Sequence, residues 1–218
     1  MLLTAREVTK SYPGEAGPVR VLDGVSLALA EAETLALTGD SGSGKSTLLT
    51  LLAGLDRADS GSVVLQGQAL ERQTETGLAA LRRDAVGLVF QQFNLIPSLT
   101  VGQNLAFQAR LVGRYDPVWL ARLVEGLGLG DHLRKYPEAL SGGQQQRVAV
   151  GRTLAARPAV ILADEPTGNL DEATGDRVAE IMLDLVDEAG CGLIVATHSA
   201  RLAGRLSRRL HLERGRLV

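Results

Sequence analysis

The sequence predicts an α/β protein with a parallel sheet at its core, and three observations support this. Short apolar runs suited to buried strands alternate with helical patterns over much of the 218 residues. A glycine-rich loop joins one of these strands directly to a helix. A helical stretch, residues 97–158, interrupts the alternation. We therefore expect an α/β core that carries an inserted helical subdomain.

The individual elements follow from apolar periodicity and from capping residues. A long helix is expected near the C-terminal end, with Val178, Ile181 and Leu185 on one face, followed by a short final helix and strands. Asp116 and Ser141 are predicted N-caps, and Pro117 suits a first helical position. Strands are predicted at residues 2–8, 25–30, 34–38, 62–66, 86–90, 159–163 and 193–197, and helices at 48–52, 74–83, 101–112, from 117 and from 141.

Composition sets the outer limits of function. With 45% hydrophobic residues and a mean hydropathy of +0.08, the chain can bury a full core as a globular protein. A formal net charge of -2 gives no reason to expect nucleic acid as a partner. The single cysteine, Cys191, excludes an internal disulfide and suits a packed core thiol. No apolar run approaches membrane-spanning length.

The glycine-rich loop predicts a phosphate site. It follows the strand at 34–38 and precedes the helix at 48–52, which is the context that such a loop requires. Glycines let backbone N–H groups approach phosphate oxygens, Lys45 supplies a positive charge, and the Ser46 hydroxyl suits Mg²⁺. An ordinary glycine-rich turn is the alternative. The predicted nucleotide contacts are Gly39, Asp40, Ser41, Gly42, Ser43, Gly44, Lys45, Ser46 and Thr47.

A pair of carboxylates ends the predicted strand at 159–163. Ligands of open α/β sheets bind at the carboxyl ends of the strands, so Asp164 and Glu165 are expected beside the loop. Asp164 would hold Mg²⁺, and Glu165 would activate the water that attacks the terminal phosphate. An acid pair that merely caps the next loop is the alternative, and Lys45 upstream favours catalysis.

A second anion site is predicted at residues 140–147. Ser141 as N-cap, followed by Gly142 and Gly143, leaves free N–H groups at the mouth of a helix. A well-capped helix is the simpler explanation, but a second glycine in the first turn lowers helix stability. Residues 140–144 match a signature sequence, and the chain resembles the ATP-binding subunits of ABC transporters over nearly its whole length.

The resemblance implies a phosphate-loop NTPase core of the ABC ATPase type, an N-terminal antiparallel β-subdomain and an inserted α-helical subdomain. Residues 1–218 would form one domain, with 1–91 and 158–218 as the nucleotide-binding core and 92–157 as the helical signature subdomain. It also implies a shared site, in which two copies close around ATP. Ser141, Gly142, Gly143, Gln144 and Asp171 would then contact the nucleotide of the partner copy.

Further roles come from the resemblance alone. Gln91 matches the glutamine that senses Mg²⁺ and the attacking water, His198 the histidine on the terminal phosphate, and Tyr12 the aromatic that stacks on adenine. The implied catalytic residues are therefore Glu165, His198 and Gln91, and the implied Mg²⁺ ligands are Ser46, Gln91 and Asp164. A structural histidine and a plain loop tyrosine are the alternatives for His198 and Tyr12.

Two stretches, residues 90–97 and residues 164–171 with the following 173–175, are similar to those of the lipoprotein-releasing and macrolide-efflux group of this family. This implies a separately encoded membrane permease as partner, docking near Leu95 and Ile96, and a location in the cytoplasm on the inner face of the cell membrane. Importer subunits, cell-division regulators, other non-transport ABC proteins and small-molecule kinases remain alternatives. Gly151 departs from the usual alanine of the signature helix, whereas Trp119, His132 and His211 are expected to be structural.

Overall fold

The computed structural model describes residues 1–15 and 17–218. Ten strands and seven helices are described in these two ranges, together with three short 3-10 turns. The strands are β1 Leu3–Tyr12, β2 Val19–Leu29, β3 Thr34–Thr38, β4 Ser60–Leu65, β5 Gln68–Ala69, β6 Val86–Val89, β7 Val160–Asp164, β8 Gly192–Ala196, β9 Arg208–Glu213 and β10 Arg216–Leu217. The helices are α1 Lys45–Leu52, α2 Glu75–Ala85, α3 Val101–Leu111, α4 Pro117–Gly126, α5 Gly142–Ala155, α6 Glu172–Ala189 and α7 Ala200–Ala203.

The strands form two sheets. One is an antiparallel sheet in the order β2-β1-β4-β5, and the other has the order β10-β9-β3-β8-β7-β6. In the second sheet β9, β3, β8, β7 and β6 run parallel, while β10 pairs antiparallel with β9 at the edge. The predicted parallel core and N-terminal antiparallel subdomain are both confirmed.

The parallel sheet is buried on both faces. Along β3, Leu35 and Leu37 pack toward the antiparallel sheet and α1, whereas Ala36 between them packs toward the helices on the other side. Strands β7 and β8 alternate in the same way, because successive side chains of a strand point to opposite faces. The sheet therefore holds the carboxyl ends of β3, β7 and β8 at one edge between two apolar layers.

The helical segment packs on the second face of this sheet. Its helices contribute Leu105, Leu123 and Val150 to the same apolar cluster as Ile161 and Val195 of the sheet. The N-caps Asp116 and Ser141 are confirmed, since each side chain accepts hydrogen bonds from the first turn of its helix. The division at residues 92 and 157 remains a prediction, and the shared cluster ties this segment closely to the sheet.

Most predicted elements lie within a few residues of the observed ones, but β1 and β2 are longer than expected. The pairing continues through Ser11 with Arg20 and Tyr12 with Val19, past register shifts that interrupt the alternation of apolar residues. The residues where β1 ends and β2 begins are mostly polar, so alternation of apolar residues did not reveal that the strands extend this far. Tyr12 consequently lies at the end of a strand.

Gly151 is closely packed against two side chains. A Cβ at this position would lie 2.5 Å from Leu127 Cδ1 and 2.6 Å from Leu105 Cδ2, both side chains of the surrounding core. Real Cβ atoms do not approach other heavy atoms this closely, so with alanine here the ends of both leucine side chains would have to shift. The absence of a side chain lets α5 approach its neighbours and offsets the lower helix propensity of glycine.

Two further expectations concern Cys191 and membrane-spanning segments. The Cys191 side chain is buried in the second cluster, and burial raises the pKa of its thiol to about 11. This agrees with a packed core thiol. In the two ranges described, no helix is both long enough and apolar enough to cross a membrane.

Candidate nucleotide site

The loop between β3 and α1 has a backbone that only glycine tolerates at its closest contacts. Gly39 and Gly44 have φ of 146° and 106°, in the left-handed region. A Cβ on Gly39 would lie 2.2 Å from Leu212 O, and one on Gly44 would lie 2.9 Å from Val21 O. The loop is therefore fixed by the C-terminal strand β9 on one side and by β2 on the other.

The start of α1 has the features of an anion site. Gly44 is its N-cap and makes no side-chain capping bond, and the first turn carries no acidic residue. The first N–H groups of the helix are therefore left for an external acceptor, and the helix dipole favours a negative one. Lys45, only 8% exposed, donates from Nζ to Gly39 O at 2.8 Å and to Asp40 O at 2.9 Å. The loop backbone therefore holds the Lys45 ammonium through two of its own carbonyl groups.

Asp164 and Glu165 lie at the carboxyl end of β7, as predicted. Asp164 Oδ1 is buried and has no hydrogen-bond partner among the residues described. Glu165 follows with φ of 45°, which is strained for a side chain larger than glycine, and its N–H donates to Ala196 O of β8 at 2.9 Å. An unpartnered buried carboxylate oxygen is costly unless a cation or donor binds it, so Asp164 fits a metal ligand.

His198 contacts the second carboxylate. Its Nδ1 lies 2.9 Å from Glu165 Oε2, and the His198 side chain is 72% exposed. Since a carboxylate only accepts, Nδ1 donates this bond and the opposite ring nitrogen, Nε2, remains available to a ligand. The strained backbone of Glu165 and the loop after β8 together fix the relative positions of the Glu165 and His198 side chains.

Gln91 is held by a residue from the loop after β7. Gln91 Nε2 donates to Asn169 Oδ1 at 2.8 Å, and Asn169 Nδ2 donates back to Gln91 O at 3.0 Å. A Cβ on the adjacent Gly168 would lie 3.1 Å from the same amide nitrogen. The glutamine is thus tied to the segment that leads to Asp171, a link that the sequence did not indicate.

One cavity of about 660 Å³ joins most of the predicted residues. Its lining combines phosphate-loop residues with the two carboxylates, Gln91 and His198. Val21 was not predicted, because the pattern began β2 only at residue 25. The lining residues are Val21, Ser41, Gly42, Gly44, Lys45, Ser46, Thr47, Gln91, Asp164, Glu165 and His198.

Gly39, Asp40 and Ser43 lie elsewhere in the loop. Asp40 and Ser43 line a neighbouring cavity beside His211, whose Nδ1 is 3.0 Å from Thr38 Oγ1. The Ser43 hydroxyl is buried and without a partner in the described part of the chain. These three residues therefore belong to the loop but do not line the main cavity.

The signature residues line a different cavity. Ser141, Gly143 and Gln144 face it together with residues of α6, including Thr174. Gly143 is required here, since its Cβ would lie 2.4 Å from Thr174 Cγ2, and Gly142 lies against Leu170 and Phe93. The phosphate loop and the signature of a single chain therefore do not share a cavity.

Two of the residues predicted to contact the partner's nucleotide, Gln144 and Asp171, also stabilise helix starts. Gln144 Oε1 accepts from Ser141 N at 2.8 Å in a capping box, and its amide nitrogen lies 3.1 Å from His132 Nε2. Asp171 caps α6 by accepting from Thr174 N at 3.0 Å. Hydrogen bonds from Thr174 hold the pKa of Asp171 below its usual range. Both side chains are pre-positioned by their own helices.

Tyr12 lies outside the main cavity lining. The residue is 37% exposed, and its hydroxyl donates to Asp56 Oδ2 at 2.9 Å. Burial and the hydrogen bond to Asp56 raise the pKa of the Tyr12 phenol above its usual value. Tyr12 therefore remains partly accessible to a ligand.

Fold and site together define a nucleotide-binding protein with a phosphate loop at the carboxyl edge of a parallel sheet. The family model described as ABC transporter matches residues 22–168. The chain belongs to the ABC transporter family, as one of its ATP-binding ATPase subunits.

Similar proteins support the same conclusion. The ABC transporter ATP-binding protein YbbA of Escherichia coli K12 is 48% identical over 200 residues, covering 90% of this chain and 88% of its own. The lipoprotein-releasing system ATP-binding protein LolD of Roseobacter denitrificans is 40% identical over 220 residues, covering 99% and 97%. The structure of the ATP-binding cassette MJ0796, dimeric in a post-hydrolysis state with ADP and Pi, superposes with a TM-score of 0.87 at 34% identity, covering 99% of this chain and 96% of that one.

Proposed function

We propose that this chain is the motor subunit of a transporter complex, in which two copies close around two ATP molecules and drive a separate membrane permease. The observation that carries the proposal is the separation of two anion sites. The phosphate loop, with its carboxylates, faces one cavity, while Ser141 and Gly143 face another. A second copy can supply the signature that the first copy cannot bring to its own nucleotide, and the dimeric state of MJ0796 supports this arrangement.

The phosphates of ATP would be bound by the loop and by α1. The β- and γ-phosphates would accept N–H bonds from the start of α1, and Lys45 Nζ would exchange the carbonyls of Gly39 and Asp40 for phosphate oxygens. This exchange favours a phosphate ligand because an ammonium bonds a charged oxygen more strongly than a carbonyl.

Mg²⁺ fits the donors present. Among the residues described there is no cluster of three or more His, Cys, Asp or Glu side chains. Mg²⁺ in phosphate sites takes few protein ligands and completes its shell with phosphates and water. Ser46, Asp164 with its unpartnered oxygen and Gln91 would hold it, and when bound it would neutralise charge on the transferring phosphate.

Hydrolysis would rely on Glu165, which follows β7, and on His198, which follows β8. Glu165 would accept a proton from the attacking water, and His198, positioned by its bond to Glu165, would contact the γ-phosphate through Nε2. Asn169 would hold Gln91 at the mouth of the cavity. A movement of Gln91 on nucleotide binding would then be passed through these two hydrogen bonds to the loop that ends at Asp171.

The membrane partner would dock on the segment that follows Gln91. Phe93, Leu95 and Ile96 are each only partly buried there, beside the helical segment. A helix of the permease fits such an apolar surface. The chain would then lie on the cytoplasmic face of the membrane, and its similarity to lipoprotein-releasing subunits favours that group over importers.

Phosphate release by the purified chain tests this function. We expect ATP to yield ADP and free phosphate in the presence of Mg²⁺, and the rate to fall to background in excess EDTA. Lys45→Ala is the control and should abolish both binding and release, because it removes the cation of the loop. Transfer of the γ-phosphate to a small organic acceptor in place of water would favour a kinase and contradict the proposal.

A further inference from the structure

We infer that Asp56 and Lys10 are positioning residues for the adenine base, because together they fix the orientation of the Tyr12 ring. The inference rests on the proposed function, in which Tyr12 stacks on adenine. Neither residue lines the main cavity, and each acts through another side chain.

The three side chains form a triangle. Asp56 Oδ2 accepts both from the Tyr12 hydroxyl, at 2.9 Å, and from Lys10 Nζ, at 2.8 Å. The Lys10 ammonium also lies 5.1 Å from the centroid of the Tyr12 ring, within the range of a cation–π contact. Tyr12 is thus held at its hydroxyl and over one ring face.

The anchor of this triangle is rigid. Lys10 is only 9% exposed and donates from Nζ to Arg57 O at 2.7 Å, while the Arg57 N–H donates to Asp56 Oδ1 at 2.7 Å. A buried lysine and a partly exposed carboxylate that each make several hydrogen bonds have few alternative rotamers. The ring therefore has little freedom left about its own side-chain bonds.

The charge state suits this role. Burial acts to lower the pKa of Lys10, but the hydrogen bond and charge of Asp56 outweigh it, and the pKa ends above its usual value. Burial acts to raise the pKa of Asp56, and bonds from Lys10, Arg57 and Tyr12 reverse it to below its usual range. Both groups remain ionised at neutral pH, so the bond from the Tyr12 hydroxyl to Asp56 is charge-assisted.

The position of Asp56 links the base to the phosphates. Asp56 lies in the turn after α1, the helix whose first residues form the phosphate site. Because Lys10 occupies one ring face, the exposed part of Tyr12 is the face left for adenine. One helix would thus set the phosphate site at its start and the base platform just beyond its end.

The test separates the base from the phosphates. We would measure the affinities of ADP and of inorganic pyrophosphate, which lacks the base, by calorimetry in the presence of Mg²⁺. Tyr12→Phe keeps the ring but cuts its bond to Asp56, and Asp56→Asn removes the charged acceptor. Each should weaken ADP binding about two- to tenfold, the cost of ordering one freed side chain, and leave pyrophosphate binding unchanged. The double variant should be no weaker than the weaker single variant.

The controls distinguish this inference from the proposed function. Tyr115→Phe alters another tyrosine that carries a cation beside its ring, Arg110, and should leave ADP affinity unchanged. Wild-type ADP affinity in Tyr12→Phe, additive effects in the double variant, or an equal loss of pyrophosphate would each overturn the inference. Should Asp56→Asn fail to fold, Tyr12→Phe alone decides. Failure of the phosphate site itself would show instead as pyrophosphate binding that survives Lys45→Ala.

Discussion

Glu165→Gln is expected to stop ATP turnover while ATP binding remains intact. Glutamine has nearly the same shape as glutamate but cannot accept the proton of the attacking water, so the rate should fall about 10²- to 10⁴-fold. In the part of the chain that the structure describes, the Glu165 side chain makes no hydrogen bond with the phosphate loop. The affinity of the loop and Lys45 for ATP should therefore persist. Without hydrolysis, the two copies should remain closed, and a dimer should accumulate in ATP. Phosphate release and light scattering measure the two effects.

A matched control for this variant is Glu172→Gln. Glu172 lies at the start of α6, is largely exposed and pairs with Arg201. Loss of an exposed pair contributes little to stability, so turnover should stay near the wild-type rate. Wild-type turnover in Glu165→Gln would remove Glu165 from the role of base.

Ser141→Arg is expected to remove turnover without affecting ATP binding by the single chain. The variant loses the capping bond of α5 and places a long cation where the partner's phosphates should approach backbone N–H groups. Removing donors that stabilise a transition state costs about 10²- to 10³-fold in rate, and a similar loss is expected here. Binding of ATP to dilute protein and phosphate release at high concentration separate the two functions.

The structure offers a close control in Thr100→Arg. Thr100 forms the same kind of capping box, with Gln103, at the start of α3. Loss of such a cap costs about 1 kcal/mol of stability, and both variants should lose about this amount in denaturant unfolding. Equal loss of turnover in the two variants would show that helix stability, and not contact with a second nucleotide, explains Ser141.

Much of the site could be predicted from sequence because its parts are local. The loop at Gly39 and Gly44, the carboxylates after β7 and the Ser141 cap each depend on a strand or helix that begins or ends within a few residues. Parallel strands bring their carboxyl ends to one edge, so Asp164 and Glu165 could be expected beside the phosphate loop, and one cavity contains them. The role of His198 came from the resemblance alone, because a single histidine after a strand carries no local signal of function.

The remaining features depend on contacts between distant segments. Asn169 bonds to Gln91, and Asp56 bonds to Tyr12 and Lys10, yet no local pattern distinguishes these residues from ordinary loop polar groups. The close packing at Gly151 has the same origin, since Leu105 and Leu127 come from two other parts of the chain. Such contacts depend on how helices and sheets pack together, and the periodicity of apolar residues along the sequence does not specify that packing.

The dependence of ATPase activity on protein concentration tests the shared site most directly. If each nucleotide needs the signature of a second copy, the rate at saturating Mg²⁺ and ATP should rise more steeply than linearly with protein at high dilution. Activity per chain should then level off as dimers predominate. Ser141→Arg should remain near background throughout this range. A strictly linear dependence, with full activity per chain at the highest dilution, would contradict a site completed by a second copy.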